Sequence, residues 1–311
     1  MSRFPRSLER DPARTILVGG APLDVIVGSE DTQGAFSLSL GQVLPGGGPP
    51  PHVHSREEEF FYLLEGSLDA TAAGERFHAE AGTFLCLPRG LAHGFVNASK
   101  SAPASMLGTF APAGGEQLLV EQSPVAGPPP ASRLSPREVA AKYGVEILPP
   151  GADLKESTLD YARGRHPTVV APGEGDLRNL GGFSFTIKVG TEETAGTYTA
   201  MELRVEPGAE LPGLSSDVFE LVAHVIDGAL VADHNGTEVT ARSGQSLSLP
   251  RGVTASLRAG SGGATALVVS APAGLERILR ASASSSRRTG LQRLAEAGRP
   301  LGLYLAPGAG A

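Results

Sequence analysis

Short runs of apolar residues, each followed by residues that favour turns, recur along the whole chain. Residues 60–64 and 83–87 are two such runs, and both have the length of a single β-strand. The 41 glycines and 25 prolines supply the turns between the runs. Many short strands with frequent turns are typical of an all-β protein, so the pattern predicts this fold class.

One hairpin can be located from the sequence. The pair Asn235-Gly236 stands between two strand-like runs, 229–234 and 237–242. Asn and Gly both tolerate the positive φ angles that a two-residue hairpin turn requires. The sequence therefore predicts two antiparallel strands joined at this pair.

Helical patterns are few and short. Residues 135–138 begin with a serine cap, place proline at the first helical position and end with a glutamate that reaches back to the cap. We expect this helix to end near Gly144. Residues 275–281 and 291–297 also show helical patterns, separated by a flexible serine-rich stretch at 282–286.

A repeat with an offset of 162 residues divides the chain into two similar halves. The residues that coincide are turn formers, whose special backbone angles preserve the skeleton of a fold. The tetrapeptide Ala-Pro-Ala-Gly also recurs, at 111–114 and 271–274. The repeat predicts two tandem domains of one fold. The matching pairs are Gly34 and Gly196, Pro45 and Pro207, Gly46 and Gly208, Gly66 and Gly228, Gly74 and Gly236, Gly82 and Gly244, Pro88 and Pro250, and Gly90 and Gly252.

The repeat also sets the predicted domain boundaries. With 311 residues, the chain is long enough for two domains that each bury a core. The linker between them contains a proline-rich connector at 124–131 and an irregular segment at 148–177, which we expect to pack across the face of a domain. The predicted regions are a first domain at 14–115, a linker with a short helix at 116–180, a second domain at 181–274 and a helical tail at 275–311.

Four residues in the first domain have the side chains of a metal site: His52, His54, Glu59 and His93. Imidazole nitrogens and a carboxylate oxygen are suitable ligands for iron, manganese, nickel or zinc. On a β-strand, residues i and i+2 point to the same face, so His52 and His54 can bind one ion together. The spacing therefore predicts a site for a divalent transition metal.

The spacing of these ligands resembles the paired signature of the cupin superfamily. The chain contains Gly46-x5-His52-x-His54-x4-Glu59-x6-Gly66, followed by Gly82-x5-Pro88-x-Gly90-x2-His93-x3-Asn97. Residues 59–66 are similar to the quercetin-dioxygenase-like branch, the pirin and quercetinase type. The resemblance implies a bicupin, in which two jelly-roll barrels of the double-stranded β-helix type follow in tandem with a few short helices. It also implies that the four residues bind a metal inside the first barrel.

The second copy of the signature lacks the ligands. The positions equivalent to His52, His54, Glu59 and His93 are occupied by Leu214, Ser216, Leu221 and Ala255. Glu220 is one position away from the equivalent of Glu59, and on a strand this turns its side chain to the opposite face. We therefore predict that the metal site has been lost from the second barrel.

Several other residues with reactive side chains are interpreted as structural. Glu57 and Glu58 adjoin Glu59 and are alternative ligands, but counting back from Gly66 selects Glu59 and leaves its two neighbours as solvated turn charges. Cys86, on a strand with no obvious base beside it, is expected to be a small buried residue.

The remaining histidines lie outside the metal signature. His78 and His234 are expected at the surface near turns, and His224 on the strand face opposite the second cavity. His166 lies in a loop, where a role at the mouth of the site is the less favoured interpretation. Asn97 is expected to bond the backbone.

Composition excludes several classes of partner. The formal net charge of −7 argues against a nucleic acid or an anionic membrane surface as a partner. A single cysteine allows no intrachain disulfide, and the first residues lack the apolar core of a signal peptide, so we expect a cytoplasmic protein. No apolar run approaches the length that spans a membrane. A homodimer is plausible because β-sheet edges need cover.

Four protein ligands on an octahedral ion leave two positions free for a substrate oxygen and a second small molecule. Iron(II) with dioxygen is the expected combination, as the resemblance also implies; manganese, nickel, cobalt and zinc are alternatives. Glu59 is the predicted general base, and Phe61 and Leu63 share its strand face and should line the pocket.

The predicted activity is a dioxygenase that cleaves or oxygenates an enolisable aromatic or hydroxy-ketone small molecule. Two alternatives remain open, because one fold hosts many functions. One is a metal-dependent isomerase, epimerase or lyase that does not use dioxygen. The other is a non-enzymatic bicupin that binds a small ligand.

Overall fold

The structure is a computed structural model that describes residues 4–124, 134–155, 162–283 and 286–306. Nearly all of the predicted proline-rich connector, 124–131, and part of the predicted flexible stretch, 282–286, lie outside these residues. The chain forms two compact units. We call Arg10–Gly173 the N-terminal barrel, and Met1–Glu9 together with Glu174–Ala311 the C-terminal barrel.

Strands far outnumber helices in both units. The elements up to residue 147 are β1 (Arg6–Leu8), β2 (Thr15–Val18), β3 (Ala21–Val27), β4 (Ser37–Val43), β5 (His52–His54), β6 (Glu58–Glu65), β7 (Ser67–Ala72), β8 (Glu75–Glu80), β9 (Phe84–Leu87), β10 (His93–Val96), β11 (Ala104–Ala111), α1 (Gly115–Gln122), α2 (Pro136–Lys142) and β12 (Val145–Ile147). The later elements are β13 (Thr168–Val170), β14 (Asp176–Leu180), β15 (Phe183–Val189), β16 (Thr199–Val205), β17 (Glu210–Ser216), β18 (Glu220–His234), β19 (Thr237–Arg242), β20 (Ser246–Leu249), β21 (Ala255–Ala271), α3 (Leu275–Ser282), α4 (Arg287–Gly298) and β22 (Leu303–Leu305).

The N-terminal barrel consists of two antiparallel sheets. One sheet has the strand order β13-β9-β6-β11-β4-β3-β2, and the other has the order β12-β5-β10-β7-β8. Alternate residues of the strands point inward and form an apolar core, since successive side chains on a strand face opposite sides. The buried members of this core are Val43, Phe61, Leu63, Leu68, Ala70, Ala72, Ala79, Leu85, Leu87, Ala104 and Met106.

The C-terminal barrel repeats this arrangement with longer strands. β18 takes the place of β6 and β7, and β21 takes the place of β10 and β11, so that one continuous sheet forms. The path through that sheet is β1-β20-β18-β21-β16-β15-β14, with β17, β19 and β22 paired beside it. Its interior is a large apolar cluster that also contains Ile278 and Leu279 of α3 and Leu291 and Leu294 of α4. These helices thus help to close the core.

Local predictions based on turn and cap chemistry are confirmed. The strands on either side of Asn235-Gly236 pair from Ala229 with Arg242 to His234 with Thr237, and both turn residues have positive φ angles. Ser135 caps α2 with both bonds of the capping box, and the helix ends just before Gly144. The two predicted C-terminal helices are α3 and α4.

Two short strands each pair with a barrel strand that is far away in the sequence. β1 precedes the N-terminal barrel in the chain but pairs with β20 of the C-terminal barrel, with Arg6 opposite Ser248. β13 precedes the C-terminal barrel but pairs with β9 of the N-terminal barrel, with Thr168 opposite Cys86. Arg6 and Thr168 are themselves 162 residues apart, so the exchange is part of the repeat.

The interval predicted as a linker contains further parts of the barrels. β12 pairs with β5 at the edge of a sheet in the N-terminal barrel, and β14 pairs with β15 in the C-terminal barrel. The segment 148–177 was expected to be irregular, and that expectation is wrong for β13 and for the start of β14. Strands of three residues are too short to show a clear alternation.

The fold class is an all-β tandem of two jelly-roll barrels with a few short helices, as the sequence predicts. None of the helices in the described residues combines the length and the apolar character needed to cross a membrane.

Candidate metal centre

Three strands of the N-terminal barrel bring the ligand-type residues together. β5 carries His52 and His54, β6 carries Glu59, and β10 carries His93, which lies directly opposite His52 in the strand pairing. One ligand atom from each of the four side chains lies within 4.8 Å of the others. The four residues selected from the sequence thus form a single cluster.

The histidine rings are oriented by hydrogen bonds to the backbone. His52 Nδ1 lies 2.8 Å from the carbonyl oxygen of Pro50, and His93 Nδ1 lies 2.9 Å from that of Leu91. A carbonyl only accepts, so each Nδ1 carries the proton and donates it. When such a ring is neutral, its Nε2 atom keeps a lone pair for a ligand, as is usual for metal-binding histidines.

The carboxylate of Glu59 lies among the Nε2 atoms. Its Oε2 is 2.8 Å from His93 Nε2 and 3.7 Å from His54 Nε2. All four residues are buried, and the most exposed of them, His52, shows only 8% of its surface to solvent. The cluster is therefore an enclosed set of three nitrogen donors and one oxygen donor.

The electrostatics of the cluster favour one neutral imidazole beside an ionised carboxylate. Burial, aided by the neighbouring His93, lowers the pKa of His52 to about 3. Burial alone would lower the pKa of His54, but Glu59 and Glu57 outweigh it and the pKa is raised. Burial likewise opposes ionisation of Glu59, yet His54 and His93 hold the pKa of Glu59 below its ordinary value. A divalent cation fits such a donor set.

Glu58, one of the two alternative ligands, is buried, so the expectation of a solvated turn charge is wrong, and its side chain faces away from the histidines. Its Oε1 accepts a hydrogen bond from Arg165 Nη1 at 2.7 Å, and its Oε2 accepts one from the backbone N–H of Arg89 at 3.0 Å. In the C-terminal barrel the equivalent residue, Glu220, bonds Arg251 Nε at 2.9 Å. Glu220 is thus part of an ion pair common to both barrels rather than a displaced ligand.

Two residues beside the cluster were not placed there from the sequence. Phe110 was not considered, and the expectation that Glu57 is a solvated turn charge is wrong, because its side chain is buried. The carboxylate of Glu57 lies 3.6 Å from His54 Nδ1, on the side of the ring that faces away from Glu59. The ring of Phe110 on β11 lies 5.4 Å from the ring of His54. Glu57 shares strand parity with Glu59, which could have indicated its inward orientation.

The predicted pocket residues lie in the interior of the same barrel. Phe61 and Leu63 are buried in its apolar core, and the ring of Phe61 contacts that of Phe95 edge to face with centroids 5.0 Å apart. Their contact with a substrate stays a prediction.

The other residues singled out in the sequence have structural surroundings. Cys86 is buried, and His78 is exposed beside Asp69. Asn97 is buried and donates to the carbonyl oxygens of Val43 and Ala102, as expected for a residue that bonds the backbone.

Three histidines lie away from the metal centre. His224 is buried against Ser246, at 3.0 Å, and His234 bonds the carbonyl oxygen of Thr254. His166 is exposed in the loop before β13.

The equivalent place in the C-terminal barrel is filled by structural contacts. Leu221 and Ala255 belong to its apolar core, and Leu214 packs against that core. Ser216 is buried; its Oγ donates to the carbonyl oxygen of Gly302 and accepts from the backbone N–H of Phe219. Within the described residues, the cluster in the N-terminal barrel is the one group with the donors for a metal ion.

Comparison with known proteins agrees with the fold. Residues 39–110 match the family model of the cupin domain. A single-residue mutant of Bacillus subtilis oxalate decarboxylase has a similar structure, with a TM-score of 0.59 and 17% identity over 86% of this chain and 78% of that one. These findings support the cupin superfamily and a two-barrel architecture, and they do not select a branch.

Two curated relatives are similar in sequence. Germin-like protein subfamily 2 member 4 of Arabidopsis thaliana is 39% identical over 98 residues, which is 30% of this chain and 44% of that protein. Quercetin 2,3-dioxygenase of Bacillus subtilis (strain 168) is 22% identical over 267 residues, which is 82% of this chain and 79% of the dioxygenase. The chain thus spans less than half the length of the germin-like protein, whereas its similarity to the dioxygenase extends across both barrels.

Proposed function

We propose that the protein is a metal-dependent dioxygenase with one active barrel. The observation that carries this proposal is the buried cluster of three imidazoles and one carboxylate in the N-terminal barrel. Similarity to a quercetin dioxygenase over most of the chain supports it. The substrate class is an enolisable aromatic compound or a hydroxy-ketone, and dioxygen is the second substrate.

His52, His54, Glu59 and His93 would hold one divalent transition metal per chain, with iron(II) as the proposed ion and manganese, nickel, cobalt or zinc as alternatives. A bound metal supplies Lewis acidity toward an enol or phenol oxygen and, when it is redox-active, reactivity toward dioxygen. The backbone bonds of His52 and His93 fix the direction of their Nε2 atoms before any ion binds.

Glu59 is the proposed proton acceptor. Its Oε2 lies inside the cluster, where a substrate hydroxyl close to the ion would also lie. A carboxylate that His54 and His93 hold in the ionised form can accept a proton from that hydroxyl.

The apolar interior would select and enclose the substrate. Phe110 lies beside His54, and Phe61 and Leu63 extend the apolar surface along β6. Such a lining favours a flat, largely carbon-based molecule and keeps bulk water away from a reactive anion.

The same four ligands could also serve an isomerase, epimerase or lyase, whose chemistry needs the ion only as a Lewis acid. The structural similarity to oxalate decarboxylase shows that this fold carries chemistry other than that of a dioxygenase. A non-enzymatic bicupin with a bound small ligand is the remaining alternative. Consumption of dioxygen separates a dioxygenase from both of these alternatives.

The test is oxygen uptake by metal-loaded protein with a panel of flavonols and other enolisable aromatic compounds. We expect substrate-dependent uptake by the iron, manganese, nickel or cobalt form and none by the His93→Ala variant. Turnover of a substrate without oxygen uptake would favour an isomerase or lyase, and metal binding without any turnover would favour a binding protein.

A further inference from the structure

Two buried polar atoms face each other beside the cluster of four ligand-type residues. His54 Nδ1 and Glu57 Oε2 are 3.6 Å apart, and the side chains of both residues are more than 90% buried. Neither atom has a hydrogen-bond partner among the described residues. The separation is about 0.4 Å beyond the long end of an ordinary N–H···O bond, so the two atoms are close to a bond that is not quite formed.

His54 therefore lies between two carboxylates, one at each ring nitrogen. Glu59 Oε2 lies 3.7 Å from Nε2, on the side of the metal cluster, and Glu57 lies at Nδ1. The other two histidines also have an acceptor at Nδ1, but in both cases it is a backbone carbonyl. His54 is thus the one ligand-type histidine of this cluster whose Nδ1 faces a charged group.

The fold does not require a carboxylate at this position. The equivalent residue in the C-terminal barrel is Phe219, which is buried against Gly274, with ring atoms 3.6 Å from a Cβ position built on that glycine. Glu57 Oε1 lies 3.8 Å from the same point on Gly114, the equivalent glycine. The two side chains therefore occupy the same place in the repeat, and an apolar side chain fits there where the ligands are missing.

We propose that Glu57 is a positioning residue that binds the Nδ1–H of His54 and so directs His54 Nε2 toward the metal. A carboxylate acceptor holds the proton on Nδ1 and makes the opposite nitrogen a stronger donor than a carbonyl acceptor would. A buried acceptor left unpaired costs free energy. A hydrogen bond formed between His54 Nδ1–H and Glu57 Oε2 therefore stabilises the metal-bound arrangement. This inference rests on the metal centre of the proposed function.

The test compares the zinc affinities of full-length variants after removal of metal with a chelator. Glu57→Leu mimics the apolar residue of the C-terminal barrel, and Glu57→Gln keeps a neutral acceptor of the same shape. Glu75→Gln on β8 removes one charge from an exposed position of the same barrel and is the matched control. Competition with a chromophoric chelator gives the dissociation constants, and thermal unfolding of the metal-free proteins checks the fold.

We expect Glu57→Leu to bind zinc roughly 10–100-fold more weakly than the unchanged protein, as is typical when the outer partner of a metal-binding histidine is removed. Glu57→Gln should lose less affinity, and Glu75→Gln should bind zinc like the unchanged protein. In the zinc-loaded protein labelled with ¹⁵N-histidine, the Nδ1–H signal of His54 should shift or exchange away in Glu57→Leu. The signals of His52 and His93 should stay in place.

Equal zinc affinity in the unchanged protein and Glu57→Leu, or an unchanged His54 signal, would overturn the role of Glu57 and leave the metal centre intact. Failure of the unchanged protein to bind zinc, iron or manganese would overturn the metal centre and this inference together.

Discussion

The C-terminal barrel places Leu214, Ser216, Leu221 and Ala255 where the N-terminal barrel places His52, His54, Glu59 and His93. The exchange of polar for apolar residues also includes Glu57, beside the four ligand positions, which corresponds to Phe219 in the C-terminal barrel. Leu221, Ala255 and Phe219 all lie in the apolar core. Loss of the ligands is thus accompanied by a change from polar to apolar around them, as expected where a buried polar group without a partner is costly.

Features outside the cluster have been kept in both barrels. Glu58 with Arg89 and Glu220 with Arg251 form equivalent ion pairs at the start of equivalent strands. The two hairpin turns also match, because Gly74 and Gly236 have φ angles of 79° and 78°. The skeleton of this fold is therefore independent of the four ligand-type residues. One barrel can thus carry the four ligand-type side chains while the other keeps a filled apolar core.

The largest expected effect comes from removing a ligand. His93→Ala should abolish most metal binding, because it takes one of three imidazoles from a site with four donors. The barrel should stay folded, since its apolar core does not include the histidine. Metal content by elemental analysis and circular dichroism measure the two effects. Ala255→Ser, at the equivalent position of the C-terminal barrel, is the control and should retain about one metal per chain.

Leu221→Ala tests the C-terminal barrel. The leucine occupies the position of Glu59 but belongs to a packed core. Its truncation should lower the free energy of unfolding by about 2–4 kcal/mol, because a cavity replaces buried methyl groups. Urea denaturation measures the change. Metal content should not change, and a loss of metal in this variant would contradict a filled, metal-free C-terminal barrel.

A moderate effect is expected from each of the two ion pairs. Glu58→Gln and Glu220→Gln should each lower the free energy of unfolding by about 1.5–3 kcal/mol, since each weakens charge-assisted bonds to a buried carboxylate. Neither change should alter metal binding. If Glu58→Gln lost the metal, Glu58 rather than Glu59 would be the ligand.

The smallest effect is expected at the hairpin turns. Ala73 has a φ angle of 49° where the other barrel has Asn235 with a φ angle of 53°. Asn tolerates this left-handed conformation better than Ala. Ala73→Asn should therefore stabilise the protein by on the order of 0.5 kcal/mol, and Asn235→Ala should destabilise it by a similar amount. Shifts of the same sign in thermal unfolding would show that the two turns are not equivalent.

The sequence predicts those features that depend on local spacing. The ligands of the N-terminal barrel, the offset of 162 residues and the turn at Asn235 can be read from residue types at fixed intervals. These features follow from strand parity and from backbone angles that few residues adopt.

The short edge strands could not be predicted in the same way. β1 pairs with a strand about 240 residues later, and β13 pairs back across about 80 residues. Three residues are too few to show alternation, and the partner of an edge strand is decided by tertiary packing. The contact between Glu57 and His54 was missed for a different reason: Glu57 directly precedes β6, and it had been interpreted as a turn residue in solvent.

We expect one barrel of this chain to bind a metal and the other to bind none. Elemental analysis of protein purified without added metal, compared between the unchanged chain and His52→Ala, tests it most directly. We expect about one transition metal ion per chain in the unchanged protein and close to none in the variant. Two ions per chain, or one ion that survives the loss of His52, would contradict it.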